Sequence, residues 1–236
     1  MIYLINMNSG HSASAHEVSY NFVQAQGESH LCPPAFRIPI LRRKILSAEE
    51  CQLIRDQILE KESEITSQHT STPIAGLTSG LTTLWSHYNV LTWSVPEQVG
   101  LKQRLFDVYR EYLQLSEVQP FKNQIQCWAN ALRKGAGLER HLHSNRPITA
   151  ISGHLALNTT SAATLYHFPF VMKCSQTQTE TYCLKLESEE GWVTFFPSWV
   201  QHSTMPYQED GIRVTMAFDI LAEIAKGSPI PFDTGN

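Results

Sequence analysis

The order of residue patterns predicts a mainly β chain with an α flank: a jelly-roll barrel buttressed by N-terminal helices. Three observations carry this. Helical periodicity and helix-capping signatures are confined to the first half of the chain. From Phe121 onward, apolar and polar residues alternate with period two. The alternating runs are short and separated by turn residues, the pattern of a closed antiparallel architecture rather than of alternating strands and helices.

The first 36 residues open on an apolar strand candidate, Met1 to Met7. A Ser/His/Gly-rich loop holding His11, His16 and His30 follows and ends at Cys32-Pro-Pro-Ala. Phe36 to Leu41 reads as a strand, and the basic cluster Leu41-Arg-Arg-Lys44 as a solvated turn. Ser47-Ala-Glu-Glu50 is a capping box, in which the Ser oxygen serves one orphan N–H and the Glu reaches back to another. It predicts a helix to about Ile65, with Leu53, Ile54, Ile58 and Leu59 on its buried stripe. Residues 66 to 83 are rich in Ser, Thr and Gly and read as a long loop carrying His69, with His87 just beyond.

Ser94-Val-Pro-Glu97 repeats the capping signature with Pro96 near the first helical position. The helix it predicts runs to about Leu115 and turns Leu101, Leu105, Val108, Tyr109 and Tyr112 inward. Gln124 to Leu132 then alternates as a strand. Ile148–Asn158, Ala163–Met172, Thr179–Glu187, Gly191–Phe196 and Ile212–Ile220 are further strands. A short helical turn and a Gly/Pro-rich tail close the chain. Trp128, Trp192 and Trp199 read as barrel core or pocket wall, and His167 as structural.

A chain of 236 residues suffices for one substantial core, and no linker divides it. The expected organisation is a single domain over 1–236: a strand and helical flank over 1–120 and a barrel over 121–220 carrying the site. Charged residues make up 17% and the net charge is -4, so no basic surface invites a nucleic-acid backbone. The five cysteines show no finger or CxxC spacing and read as buried free thiols. Only Cys174 and Cys183 have a spacing that a hairpin could bring face to face. No apolar run has membrane-spanning length, and the expectation is a soluble, cytoplasmic protein of open oligomeric state. Its partner would be a small-molecule or peptide substrate.

The chemistry gathers in two stretches. His141-Leu-His143 places two histidines at i and i+2, on one face if the segment is extended. His202, from a later strand, can close a three-point cap on one metal ion and leave the opposite face of an octahedron open. Arg213, eleven residues after His202, lies further along the sheet, where its fork can hold a carboxylate. Glu139 is not expected to ligate.

His141, His202 and Arg213, with Asn130 eleven residues before His141 and Gly135 and Leu138 between, resemble the 2-oxoglutarate-dependent Fe(II) oxygenases. Their pattern is His-x-Asp/Glu, a distant His, ten residues and an Arg or Lys, and the leading Asn marks the AlkB-type branch. The run Gly191-Trp-Val-Thr-Phe-Phe-Pro-Ser-Trp199 is similar to a small group within that superfamily. The matched region covers roughly residues 122 to 220. One departure stands out: His143 occupies the carboxylate position, giving His-x-His for His-x-Asp.

The resemblance implies a double-stranded β-helix of the cupin-like, jelly-roll kind. It implies Fe(II) with 2-oxoglutarate and O2 as co-substrates, and oxidative decarboxylation to succinate, CO2 and a ferryl species that abstracts a substrate hydrogen. His141 and His202 would be metal ligands. His143 would complete a three-histidine cap, swing away and leave water in its place, or act as a donor behind the ligands. Arg213 would pair with the distal carboxylate of 2-oxoglutarate, helped by a Thr215 hydroxyl and the Asn130 amide. His154 is either a further polar contact for 2-oxoglutarate or a satisfied core histidine. Two other classes stay open: a cupin-type three-histidine iron dioxygenase that needs no 2-oxoglutarate, and a non-catalytic jelly-roll binding module.

Overall fold

Strands β1 (Glu17–Gln24) and β2 (Arg37–Lys44) begin the folded chain, and the alternation past Phe121 forms the rest of the sheet. The structure is a computed structural model that describes residues 17–24, 37–68, 80–82, 87–143, 149–222 and 229–233. The expected strand at Met1 to Met7, the histidines at 11, 16, 30 and 69, Cys32 and most of the 66–83 loop lie outside these residues.

Helix α1 (Ala48–Gln68) starts where the capping box lies. Ser47 N–H donates to Glu50 Oε2 at 2.8 Å, and Glu50 N–H donates to Ser47 Oγ at 3.2 Å. Its buried stripe is Cys51, Ile54, Ile58 and Ile65. Leu53 is instead 54% exposed, because the stripe follows the i, i+3, i+4 spacing from Cys51 and leaves position 53 on the far side.

The second helical region differs from the single helix expected. After a short 3-10 turn at Val90–Thr92, α2 (Ser94–Gln98) is one short piece and α3 (Leu101–Ser116) another. Gly100 sits between them at φ 65°, a left-handed conformation that suits glycine and breaks the helix. Ser94 caps nothing, since Trp93 holds the N-cap position; the Ser94 hydroxyl accepts instead from Gln57 Nε2 at 2.7 Å. Leu101, Leu105, Val108, Tyr109 and Tyr112 are buried as expected.

β3 (Gly80–Thr82), β4 (Asn123–Leu132), β5 (Leu138–His141), β6 (Thr149–Ala156), β7 (Thr160–Cys174) and β8 (Glu180–Ser188) follow. β9 (Trp192–Pro197), β10 (Gln201–Thr204), β11 (Arg213–Leu221) and β12 (Ile230–Asp233) complete the set. The tail thus carries an edge strand, not only a Gly/Pro-rich coil, and β12 pairs with the start of β4. All pairings are antiparallel, in the order β12-β4-β11-β6-β9-β2-β1-β7-β10-β5, with β3 on β4 and β8 on β7. The result is a jelly roll.

Its two faces are chemically distinct. Val214, Met216, Phe218 and Ile220 of β11, with Ile125, Cys127 and Ala129 of β4 and Val193 and Phe195 of β9, pack in one cluster with α1 and α3. Gly153 of β6 belongs to this side: a Cβ there would lie within 2.6 Å of the Phe218 ring, so only glycine lets that ring lie on the sheet. A second cluster fills the barrel interior, including Ile38, Ile40, Tyr166, Phe168, Leu186 and Phe196.

β2 corrects the reading of Leu41-Arg-Arg-Lys44. The segment is a strand, and Arg42 is 6% exposed, opposite Thr194 of β9. Its guanidinium lies 5.0 Å over the Trp192 ring and reaches Glu189 at 3.3 Å. Clustered basic residues suggested a turn, but strand periodicity turns every second one inward.

The β4–β5 loop is tied to the β10–β11 loop. Gly135 N–H donates to Tyr207 O at 2.7 Å, Tyr207 N–H to Ala136 O at 2.8 Å, and Lys134 Nζ meets Asp210 Oδ1 at 2.6 Å. Cys51, Cys127, Cys174 and Cys183 are free thiols, and Cys183 stands opposite His167, not Cys174. No helix among the described residues is long and apolar enough to cross a membrane.

Candidate metal centre

His141 ends β5 and pairs directly with His202 of β10, so strand register brings these two rings to one place. His143 lies two residues past His141, beyond the strand's end, where its N–H donates to Ser198 O at 3.0 Å. The ring centroids are 4.3 Å (141 to 202), 5.0 Å (143 to 202) and 5.4 Å (141 to 143) apart. One nitrogen from each of the three falls within 4.8 Å of the others, a spacing fit for a single metal ion.

Hydrogen bonds fix which nitrogen each ring offers. His141 Nδ1 is 2.7 Å from Glu139 O and His202 Nδ1 is 3.2 Å from Val200 O. His143 Nδ1 is 2.6 Å from Asp219 Oδ1. A carbonyl or carboxylate oxygen only accepts, so each Nδ1 carries the proton and each Nε2 presents a lone pair. Burial holds His141 and His202 below the usual imidazole range, which keeps those lone pairs free of protons. The Glu139 side chain is exposed, and that residue contributes its carbonyl.

Arg213 starts β11, opposite Leu132, and Thr215 follows on the same face, opposite Asn130 and Ala156. All three polar residues are at most 5% exposed. Burial pushes Arg213 down to about 10, offset in part by the phenol oxygens of Tyr166 and Tyr207, so it stays charged at neutral pH. Its Nε is buried without a hydrogen-bond partner, and no carboxylate among the described residues pairs with its guanidinium. A buried cation left so is costly unless an anion arrives. The donor set therefore fits an anionic ligand beside a histidine-bound metal.

Residues 126–219 match the family model described as "Putative 2OG-Fe(II) oxygenase". Over that stretch the chain resembles the 2OG-Fe(II) oxygenases. The three imidazoles and the buried Arg213 fit the Fe(II) and 2-oxoglutarate that the name of that family denotes. No curated protein matches this chain in sequence. Solved structures match its fold. A Pseudomonas putida prolyl-4-hydroxylase is 14% identical, with a TM-score of 0.56 over 78% of this chain and 93% of its own. HygX from Streptomyces hygroscopicus, bound to nickel, 2-oxoglutarate and hygromycin B, is 14% identical, with a TM-score of 0.55 over 80% and 84%. A Trichoplax adhaerens prolyl hydroxylase bound to a hypoxia-inducible-factor peptide fragment is 12% identical, with a TM-score of 0.54 over 78% and 83%.

Three residues around the candidate metal centre escaped sequence reasoning. Tyr166 of β7 lies opposite His202, and its hydroxyl is 2.5 Å from His154 Nε2. Burial, with the charges of Arg213 and Arg42, pushes His154 down to about 3. The imidazole is therefore neutral, and its Nε2 shares a hydrogen bond with the Tyr166 hydroxyl. Asp219 holds His143, and Ser152 Oγ donates to the same Asp219 oxygen at 2.6 Å. Arg42 is the third, a second interior guanidinium. Strand parity could have found Tyr166 and Arg42, had the inward face of each strand been known.

The remaining candidates separate. Trp128 lies 5.5 Å from the His143 ring, beside the candidate metal centre, and Trp192 lies beneath Arg42. Trp199 is 37% exposed in the turn before β10, outside the buried core. His167 meets Ser203 at 2.9 Å, away from the metal centre, and His87 is exposed.

Proposed function

We propose that this protein is an Fe(II)- and 2-oxoglutarate-dependent oxygenase that uses O2 to hydroxylate a C–H bond of a small molecule or of an amino-acid or peptide side chain. His141, His143 and His202 would hold the iron through Nε2. Arg213 would hold the distal carboxylate of 2-oxoglutarate, with the Thr215 hydroxyl and the Asn130 amide beside it. The observation that carries this reading is the buried Arg213 guanidinium with no anion of its own, in the same barrel as three converging imidazoles. When bound, iron with 2-oxoglutarate and O2 supplies oxidising power that side chains lack.

The protein's own residues orient and shield. Neutral His141 and His202 keep their lone pairs unprotonated, and Phe196, 4.9 Å from the His202 ring, excludes water from one side of the centre. His154, fixed by Tyr166, would give 2-oxoglutarate its further polar contact. The substrate class follows relatives of the same fold, among them one bound to hygromycin B and one bound to a peptide fragment.

The three-histidine donor set favours one other reading, a cupin-type iron dioxygenase that binds its organic substrate directly. Arg213 weighs against it. Anaerobic addition of Fe(II) and then 2-oxoglutarate separates the two. The expected result is a visible charge-transfer band, weakened in Arg213→Ala, followed by succinate release on admitting O2. Iron binding with no band overturns the 2-oxoglutarate reading in favour of the direct dioxygenase. Absence of iron binding leaves a non-catalytic binding module.

A further inference from the structure

Among the three histidines, only His143 is backed by a carboxylate. His141 and His202 donate hydrogen bonds from Nδ1–H to neutral backbone carbonyls, of Glu139 and Val200, whereas His143 Nδ1–H donates to Asp219 Oδ1 at 2.6 Å. His143 is also the residue standing where the superfamily's pattern has Asp or Glu. We propose that Asp219 is a positioning residue that returns to the metal, through the His143 ring, the negative charge lost by that exchange. The proposal rests on the reading of His143 as a ligand.

Asp219 is well placed for the task. It lies on β11 on the same inward face as Arg213 and Thr215, opposite Ser152 of β6 and Gln126 of β4. Ser152 Oγ donates to its Oδ1 at 2.6 Å and fixes the carboxylate. Among the described residues no lysine or arginine pairs with it; His143 is its ion-pair partner. The side chains of His143 and Asp219 are 10% and 18% exposed, so water screens the pair weakly.

Physically, a cation on Nε2 polarises the ring and strengthens the Nδ1–H bond to the carboxylate. The carboxylate in turn raises the ring's basicity and fixes its tautomer and tilt. The net charge of metal plus immediate surroundings then equals that of a site with two histidines and a carboxylate ligand. Only the location of the charge differs, one residue further from the metal. The arrangement offsets the harder oxidation of iron expected of three neutral imidazoles.

The test compares the full chain with Asp219→Asn, whose side-chain oxygen still accepts from Nδ1 but carries no charge. Co(II) affinity is measured by titration, and the Fe(III)/Fe(II) midpoint potential by spectroelectrochemistry, neither requiring turnover. The expected result is Co(II) binding weaker by about 10- to 100-fold with a more positive potential. Ser152→Ala leaves the charge and removes a competing donor. It is expected to move the potential the other way, which keeps the idea testable should Asp219→Asn fail to fold. Wild-type affinity and potential in Asp219→Asn, or an unmoved potential in Ser152→Ala, overturns the proposal. Failure of the unmodified protein to bind Co(II) is a different result: it removes the metal centre itself, and the proposal with it.

Discussion

The two faces of β11 are built from neighbouring residues and have opposite characters. Outward, Val214, Met216, Phe218 and Ile220 are buried in one apolar cluster with residues of α1 and α3. Inward, Arg213, Thr215 and Asp219 are polar, and Arg213 is a buried cation with no carboxylate partner among the described residues. The difference teaches where stability and function reside. A face that is satisfied holds the fold, and a face left incomplete waits for a ligand.

Substitutions on each face should separate the two roles. Phe218→Ala empties a fully buried site on the outward face and should cost about 3–5 kcal/mol of stability in a denaturant titration. Equal stability would mean that the outer cluster is not what holds the sheet to the helices. Arg213→Met on the inward face should leave stability unchanged or raise it, since an unpaired buried charge is removed. Its 2-oxoglutarate affinity should fall by about 2–3 kcal/mol, on the order of 100-fold, in a calorimetric titration. A large loss of stability in that variant would show that the inward face also holds the fold.

His154 sharpens the comparison through pH. Its folded pKa, about 3, lies below the ordinary 6.5, so the unfolded chain takes up the proton first. The stability of its neutral, buried form is complete above pH 6.5 and is lost as pH falls toward 3. Between pH 6.5 and 5 the loss from this one group is about 2 kcal/mol. His154→Gln should flatten that part of the stability-against-pH curve by a similar amount. The smallest effect belongs to the helical flank: Ser47→Ala should lower the melting temperature through the loss of about 1 kcal/mol while 2-oxoglutarate binding stays as it was.

How much of this was legible in the sequence depended on the range of the signal. Local chemistry was readable: the Ser47–Glu50 box, the α3 stripe and most strands follow from neighbours in sequence. His141, His202 and Arg213 could be singled out because their order and spacing form a pattern. Asp219 could not, since nothing local ties a carboxylate to a histidine 76 residues away. Tyr166 and Arg42 were missed because alternation says that two faces exist but not which one points inward. Leu53 and the broken second helix went astray where a choice among overlapping apolar residues, and one glycine's conformation, decided the outcome.

The tie between the β4–β5 and β10–β11 loops gives the spacing pattern a mechanical origin. Asn130 to His141 and His202 to Arg213 are each eleven residues, and these spans cover the two loops joined through Gly135, Ala136 and Tyr207. One residue added to either loop alone would slip its strand by one position and turn its site residues to the outer face. The intervals therefore behave as a matched pair of gauge lengths. Descendants of this sequence should gain or lose residues in both loops together, or in neither.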